Sequence, residues 1–292
     1  MKILVIGGTG MLGHRLWSSL SKNHDVYATV RNKVSELNHL PHIDLEKAIT
    51  DVDVNNLNSV EEAIKKIGPD YVLNCVGIIK QIDASKNHIT SIKINSLLPH
   101  ELTSICEKYN SKLVHFSTDC VFDGAEGFYN EQHQSNATDL YGRSKFLGEV
   151  DYSKHCLTMR TSIIGREIFP KGSLIEWFLS QEGEIKGFDK AIYTGYPTET
   201  IARILDSIVF KNPDLSGVLN VASPKISKFD LLNLVKDHFG KEITIHKNSD
   251  FVLDRSLDGK IFNEKTGFNP PSWEELVKDL SVDNEYYENL RS

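Results

Sequence analysis

The segment "DLYGRSKFLGEV", residues 139–150, sets Tyr141 and Lys145 four positions apart. If residues 139–152 are helical, the two side chains share one face as an i, i+4 pair. A free phenol titrates near ~10, too high for useful proton exchange at neutral pH. An ammonium about 5 Å away, at an effective dielectric near 20, favours the phenolate by roughly 3 kcal/mol, a little over two pKa units. A proton-transferring tyrosine needs an adjustment of that size. A core tyrosine beside a lysine that lays its stem along the surface has the same spacing, so the pair has to be weighed with other positions.

A second set lies at the start of the chain. "GGTGMLG", residues 7–13, follows the apolar run "KILVI" and opens a helical pattern. Gly8, Gly10 and Gly13 fit G-x-G-x-x-G, while Gly7, Gly10 and Gly13 fit G-x-x-G-x-x-G. In either register the backbone through Gly10, Met11, Leu12 and Gly13 approaches a pyrophosphate held on a helix N-terminus. A turn kept tight only for packing would also be rich in glycine; the order strand, glycines, helix favours the dinucleotide. The second strand ends in "VYATVRN". An NAD-binding chain usually places an acid there for the ribose 2′-hydroxyl, some ~20 residues after the glycines. Arg31 stands in its place, and a guanidinium suits a 2′-phosphate. The expected cofactor is NADP(H), with NAD(H) as the alternative.

These groups need a frame. "KILVI" (2–6), "DVYATV" (25–30), "DYVLNCV" (70–76) and "KLVHFS" (112–117) read as parallel strands buried on both faces. Between them, residues 11–22, 59–67 and 95–109 carry apolar residues at three- and four-residue spacing. The alternation implies an α/β fold, a Rossmann-type doubly wound parallel sheet. Beyond residue 160 the rhythm loosens at "FPKG", "GYPTET" and "NPPSW". The expected division is residues 1–160, with about 195–215, as the dinucleotide-binding domain, and residues 161–194 and 216–292 as a smaller C-terminal α/β substrate lobe.

With 292 residues and 40% hydrophobic content, a large core can be buried. The formal charge of -7 and the lack of a basic run speak against nucleic acid as a partner. Apolar runs are too short for a membrane span, and glycines interrupt the start too early for a secretory segment, so the protein is expected in the cytoplasm. Cys75, Cys106, Cys120 and Cys156 have no C-x-x-C pairing and no histidine at zinc spacing. They read as reduced packing residues, with no metal site.

Taken together, the glycines and the Tyr141–Lys145 pair resemble the extended short-chain dehydrogenase/reductases. The segments "HFSTDCVFDGAEGFYNEQ", "DLYGRSKFLGE" and "LTMRTSIIG" are similar to the dTDP-4-dehydrorhamnose reductases and relatives acting on nucleotide-linked 4-keto-6-deoxy sugars. "YPTETIARIL", "GVLNVASPKISKFDLLNLV" and "TGFNPPSWEEL" extend the resemblance over nearly the whole chain. It implies Tyr141 as general acid and Lys145 as the residue that holds the nicotinamide ribose and lowers the phenol. Thr118 is then the hydroxyl partner on the substrate carbonyl oxygen, with Asp119 beside it. Asn74, Cys75, Val76 and Gly77 would line the cofactor, with Asp53 and Val54 at the adenine and Asn95 near the lysine. Thr161 and Ser162 would lie beside the nicotinamide or the sugar.

Two positions depart from that family. Cys120 stands where a tyrosine usually follows Thr-Asp, and Ile163 where an aromatic follows Thr-Ser. Cys120 therefore joins the candidate substrate residues, as does Trp177, whose helical spacing equally suits a core position. The implied activity is NADPH-dependent reduction of a nucleotide-diphospho 4-keto-6-deoxyhexose, dTDP- or UDP-linked and with or without N-acetylation, for surface polysaccharide, by a monomer or homodimer. A 4,6-dehydratase would follow the threonine with Asp-Glu, and a 4-epimerase would replace Ser117-Thr118 with a serine pair; both are disfavoured. A silent NADP-binding subunit, such as the regulatory subunit of methionine adenosyltransferase, is the alternative from another class.

Overall fold

The computed structural model describes residues 1–30, 43–79, 87–169, 172–282 and 284–289. Its centre is a seven-stranded parallel sheet. Six strands are β1 (Lys2–Ile6), β2 (Asp25–Thr29), β3 (Ala48–Ile49), β4 (Tyr71–Asn74), β5 (Lys112–Ser117) and β6 (Cys156–Arg160). The edge strand Gly217–Asn220 adds to β6, and the order runs from it through β6, β5, β4, β1 and β2 to β3. The order reverses between β1 and β4, and open α/β sheets bind their ligands at the carboxyl ends of the strands beside such a reversal.

Why β1 reads as a continuous apolar run is visible in its neighbours. Successive side chains of a strand point to opposite faces. Ile3 and Val5 join the core under α1 (Met11–Leu20) and the helix Thr198–Ser207, whereas Leu4 and Ile6 join the core under α2 (Leu57–Ile67) and the helix Leu98–Lys108. Both faces are covered, so alternation with polar residues would bury unpaired groups. Residues near 195–215 return to the α1 side of the sheet, where Arg15 Nε lies 3.1 Å from Glu199 Oε1.

The remaining C-terminal residues build small sheets rather than extending the large one. Ala191–Tyr193 sits between Ile226–Ser227 and Leu253–Asp254, and Thr244–Asn248 pairs with Glu184–Phe188. The helix expected over residues 139–152 is shorter, Leu140–Leu147. Just past its end, a Cβ on Gly148 would stand 2.0 Å from the Asn95 carbonyl oxygen, so the chain needs glycine to pass there. Arg31 lies outside the described residues.

Candidate active site

The glycine turn leaves β1 at Gly7, whose φ of +90° favours glycine. Its N–H donates to Thr29 Oγ1 (3.1 Å), and the N–H of Gly8 donates to the Thr29 carbonyl (2.9 Å), which ties the turn to β2. A Cβ on Gly13 would stand 2.0 Å from the Gly7 oxygen, and one on Gly8 2.7 Å from the Ala28 methyl. Both overlapping registers are thus used: Gly7 and Gly13 close the turn on itself, and Gly8 lets it lie against β2. Gly10 differs. A Cβ there would make only ordinary contacts, 3.5 Å from the Gly7 oxygen, so a methyl would fit. Gly10 is the N-cap of α1 with no side-chain cap and no acid in the first turn. The first amides of that helix are available to an anion.

Beside the turn, Val54 and Val76 pack on the same core cluster, and Asp53 Oδ1 accepts from the backbone N–H (3.0 Å) and side chain (2.9 Å) of Asn55. Asn95 sits in a π-helical turn, Ile92–Leu97, an irregularity common at functional sites. Its Oδ1 accepts from the Ile78 N–H (2.8 Å), and its Nδ2 donates to the Ile78 carbonyl (3.0 Å) and to Ser144 Oγ (3.2 Å). Asn95 thereby joins the loop after β4 to the tyrosine helix, and the segment 75–78 is held along the carboxyl edge of β4.

Thr118 follows β5 and caps the short turn Asp119–Val121 by accepting from the Cys120 N–H (3.1 Å). Its hydroxyl donates to Asp119 Oδ1 (3.1 Å) and shares a side-chain hydrogen bond with Tyr141. Gly142 makes this pairing attainable: a Cβ there would stand 2.2 Å from the Cys120 carbonyl oxygen. Thr118, Asp119 and Lys145 are buried, and Tyr141 is partly exposed.

The electrostatics differ from the expectation of a lowered phenol. Burial pushes Tyr141 up, Cys120 adds to the rise, and the Thr118 bond works against it. Lys145 is itself pulled down to about 8, chiefly by burial, with Glu149 opposing. Its Nζ donates to the Phe116 carbonyl (2.6 Å), toward β5. A buried amine engaged in that way is not the fixed surface charge that the four-residue spacing suggested.

The other candidates spread along the same edge. Thr161 and Ser162 follow β6; Thr161 is buried and donates to the Ser162 carbonyl (3.3 Å). Arg255 reaches from the lobe to Cys120, with Nη1 3.5 Å from Sγ and Nε on the Phe122 carbonyl (2.8 Å). Trp177 lies on the helix Leu174–Ser180, exposed, while Phe178 beside it is buried in the core. A separate cavity of about 350 Å³ opens in the lobe between Phe128, Ser223, Lys225, Lys260 and Asn263, and Thr118, Tyr141 and Lys145 do not line it.

Several residues that brace the site were not singled out from the sequence. Glu149 Oε1 accepts from Ser117 Oγ (2.6 Å) and Arg160 Nε (2.8 Å), and its Oε2 accepts from Arg160 Nη2 (2.6 Å). Ser117 and Arg160 are register partners on β5 and β6, so this buried cluster pins the tyrosine helix to the sheet. A charged residue ending the otherwise buried run "CLTMR" was the available signal. Among the described residues no group of three or more His, Cys, Asp or Glu could hold a metal ion, and no helix is long and apolar enough to cross a membrane.

Known proteins are similar to this chain in sequence and in fold. The chain is 27% identical over 169 residues to a probable low-salt glycan biosynthesis reductase of Haloferax volcanii, covering 56% of this chain and 54% of the relative. It is 30% identical over 251 residues to the methionine adenosyltransferase 2 subunit beta of Danio rerio, covering 82% and 74%. The chain spans about half the length of several curated relatives it matches. Its fold is that of the dTDP-4-dehydrorhamnose reductase of Bacillus anthracis solved in complex with NADP, with a TM-score of 0.79, 19% identity and coverage of 97% and 99%. The RmlD substrate binding domain family matches residues 1–284, and the chain belongs to that family of extended short-chain dehydrogenase/reductases.

Proposed function

We propose that the protein reduces the 4-keto group of a nucleotide-diphospho 4-keto-6-deoxyhexose, dTDP- or UDP-linked, with NADPH as reductant. The observation that carries this reading is the hydrogen-bonded Thr118–Tyr141 pair beside buried Lys145 at the carboxyl edge of the sheet. The uncapped start of α1 at Gly10 suits a dinucleotide pyrophosphate, held by Gly7, Gly10, Met11, Leu12 and Gly13. Asp53 and Val54 would face its adenine end, and Cys75, Val76, Gly77, Asn95 and Lys145 its nicotinamide end. Arg31 would read the 2′-phosphate, and residues 161–194 and 216–292 would form the lobe that receives the sugar nucleotide.

NADPH supplies the hydride in such a reaction. As the carbonyl carbon is reduced, negative charge grows on its oxygen, and positioned donors must neutralise it. Thr118 donates a hydrogen bond, and Tyr141 donates the proton. The raised phenol fits this direction, because a donor must be protonated when the charge develops. Asp119, Cys120, Thr161, Ser162 and Trp177 are the candidates for holding the sugar.

A second reading is favoured by the relative in Danio rerio, whose match covers 82% of this chain: a dinucleotide-binding subunit without turnover. Incubating the protein with NADPH and dTDP- or UDP-linked 4-keto-6-deoxy sugars, and following absorbance of the cofactor, separates the two. Turnover is expected; tight NADPH binding without any would select the silent subunit. Arg31→Ala should weaken NADPH roughly ten- to a hundredfold through loss of a charge-assisted contact, and NADH hardly at all. Equal losses for both would remove Arg31 from phosphate recognition.

A further inference from the structure

Asn74, His115 and Lys145 form a buried polar chain beneath the site, each no more than 5% exposed. Asn74 Nδ2 lies 3.1 Å from His115 Nδ1, and His115 Nε2 lies 3.5 Å from Lys145 Nζ. Its direction is set at the far end, where the Val76 N–H donates to Asn74 Oδ1 (3.2 Å). That leaves the amide nitrogen of Asn74, which can only donate, facing the ring. His115 Nδ1 must accept, and the one proton of the neutral ring sits on Nε2, toward Lys145. A doubly protonated ring would set donors against Asn74 and the lysine alike; burial, Lys145 and His100 all hold His115 well below its usual value.

We propose that His115, fixed in this tautomer by Asn74, is a positioning residue that stabilises the neutral amine of Lys145. An Nε2–H donates to the lone pair of an amine, whereas it meets an ammonium donor to donor. The Phe116 carbonyl accepts from either form at 2.6 Å, and more strongly from the ammonium, so it opposes the ring. Other charged groups are accounted for. Glu149, two residues past the end of the helix, favours the ammonium, but its carboxylate is shared with Arg160 and Ser117. Asp119 and Cys120 act on the Tyr141 phenol, and His100 acts on His115.

The catalytic consequence rests on the reductase reading. Each turnover takes a proton from the Tyr141 oxygen to the substrate oxygen. The phenolate regains one at the expense of the Lys145 ammonium, and water reloads the amine. A lysine whose neutral form is stabilised can give up its proton near neutral pH; an ordinary ammonium holds it.

The test is an NMR titration of the full chain carrying 13Cε-labelled lysine, with the Lys145 signal assigned by its loss in Lys145→Arg. The wild-type midpoint is expected at about 8. His115→Phe removes the facing N–H, and the midpoint should rise by roughly one unit or more. Asn74→Asp can only accept from Nδ1, which turns the ring lone pair toward Lys145 and should also raise it. His115→Gln, whose amide oxygen can face the ammonium, gives the same sign if the phenylalanine variant does not fold. An unmoved midpoint in the folded variants, or a wild-type value near an ordinary ~10.4, overturns the proposal. If reduction is observed, it requires the loaded lysine, so its alkaline limb should move upward in the same variants. Absence of turnover with the shifted NMR midpoint would sink the reductase reading and leave the His115 assignment standing.

Discussion

The dinucleotide turn and the tyrosine helix share the carboxyl edge of one sheet, yet they are made of different material. The turn is almost all backbone: Gly7 and Gly13 meet within a few ångströms, Gly8 lies on Ala28, and Thr29 holds two amides. The tyrosine helix is positioned by side chains in pairs, with Glu149 on Arg160 and Ser117, Asn95 on Ser144, and Lys145 on the Phe116 carbonyl and near His115. A backbone site is written in consecutive residues and fails by steric clash. A side-chain site draws on strands far apart in sequence and fails by loss of charge compensation.

The largest effect expected from that difference lies at Glu149. Glu149→Ala leaves Arg160 buried without its carboxylate, and stripping one partner from such a pair typically costs about 3–5 kcal/mol. A urea titration should show the loss, and adding Arg160→Met should recover much of it. If the single variant unfolds like the wild type, the cluster does not hold the helix to the sheet.

On the turn side, the largest charge effect belongs to His14, buried with Nδ1 2.8 Å from the Gly10 carbonyl and Nε2 2.8 Å from the Tyr287 hydroxyl. Burial lowers it from 6.5 to about 4. A group whose folded value is depressed contributes fully above its unfolded value and loses that contribution as pH falls toward the folded one. Between pH 6.5 and 4 the unfolded chain binds the extra proton, so the wild type should lose on the order of 3 kcal/mol that His14→Gln does not. Parallel stability curves for the two proteins over that window would contradict it.

Tyr141→Phe comes next. It keeps the ring and removes the proton donor, so turnover of a 4-keto sugar nucleotide should fall at least about a hundredfold, roughly 2.7 kcal/mol, with NADPH binding nearly intact. Near-normal turnover would take Tyr141 out of the chemistry and leave only the backbone half of the comparison functional.

How far the sequence could be read follows the same division. The buried runs at 2–6, 25–30 and 112–117 match strands to within a residue, because strands covered on both faces must be apolar throughout. The glycine turn was legible in its motif, although its two registers were resolved only by clearances across the fold. Tyr141, Lys145 and Thr118 were legible as types. Their electrostatics were not: the reversed shift of Tyr141 and the lowered value of Lys145 both depend on burial, and the groups that Lys145 Nζ meets, Phe116 and His115, lie twenty-nine and thirty positions away. The need for glycine at 148 was hidden for a similar reason, since it is set by the carbonyl of Asn95, which no local pattern reveals.

The smallest effect on stability, and the sharpest on the comparison, is expected at Gly10. Its φ of -75° and ψ of 165° suit any residue, and an added methyl meets no atom nearer than 3.5 Å. Alanine restricts the unfolded chain, which stabilises by about 0.4–1 kcal/mol, while its poorer N-capping costs on the order of 0.5–1 kcal/mol. The two nearly cancel, so Gly10→Ala should melt within about 0.5 kcal/mol of the wild type. Gly13→Ala should not, because its methyl would overlap the Gly7 carbonyl at 2.0 Å. Binding should separate from folding at Gly10 alone. If the pyrophosphate approaches the backbone there, the methyl occupies its place, and NADPH should bind at least about tenfold more weakly, some 1.4 kcal/mol. A cofactor titration beside a thermal melt measures both. Unchanged binding in a stable Gly10→Ala protein would mean that the space above Gly10 is not where the dinucleotide lies, and that the backbone half of the site has to be sought elsewhere along the edge.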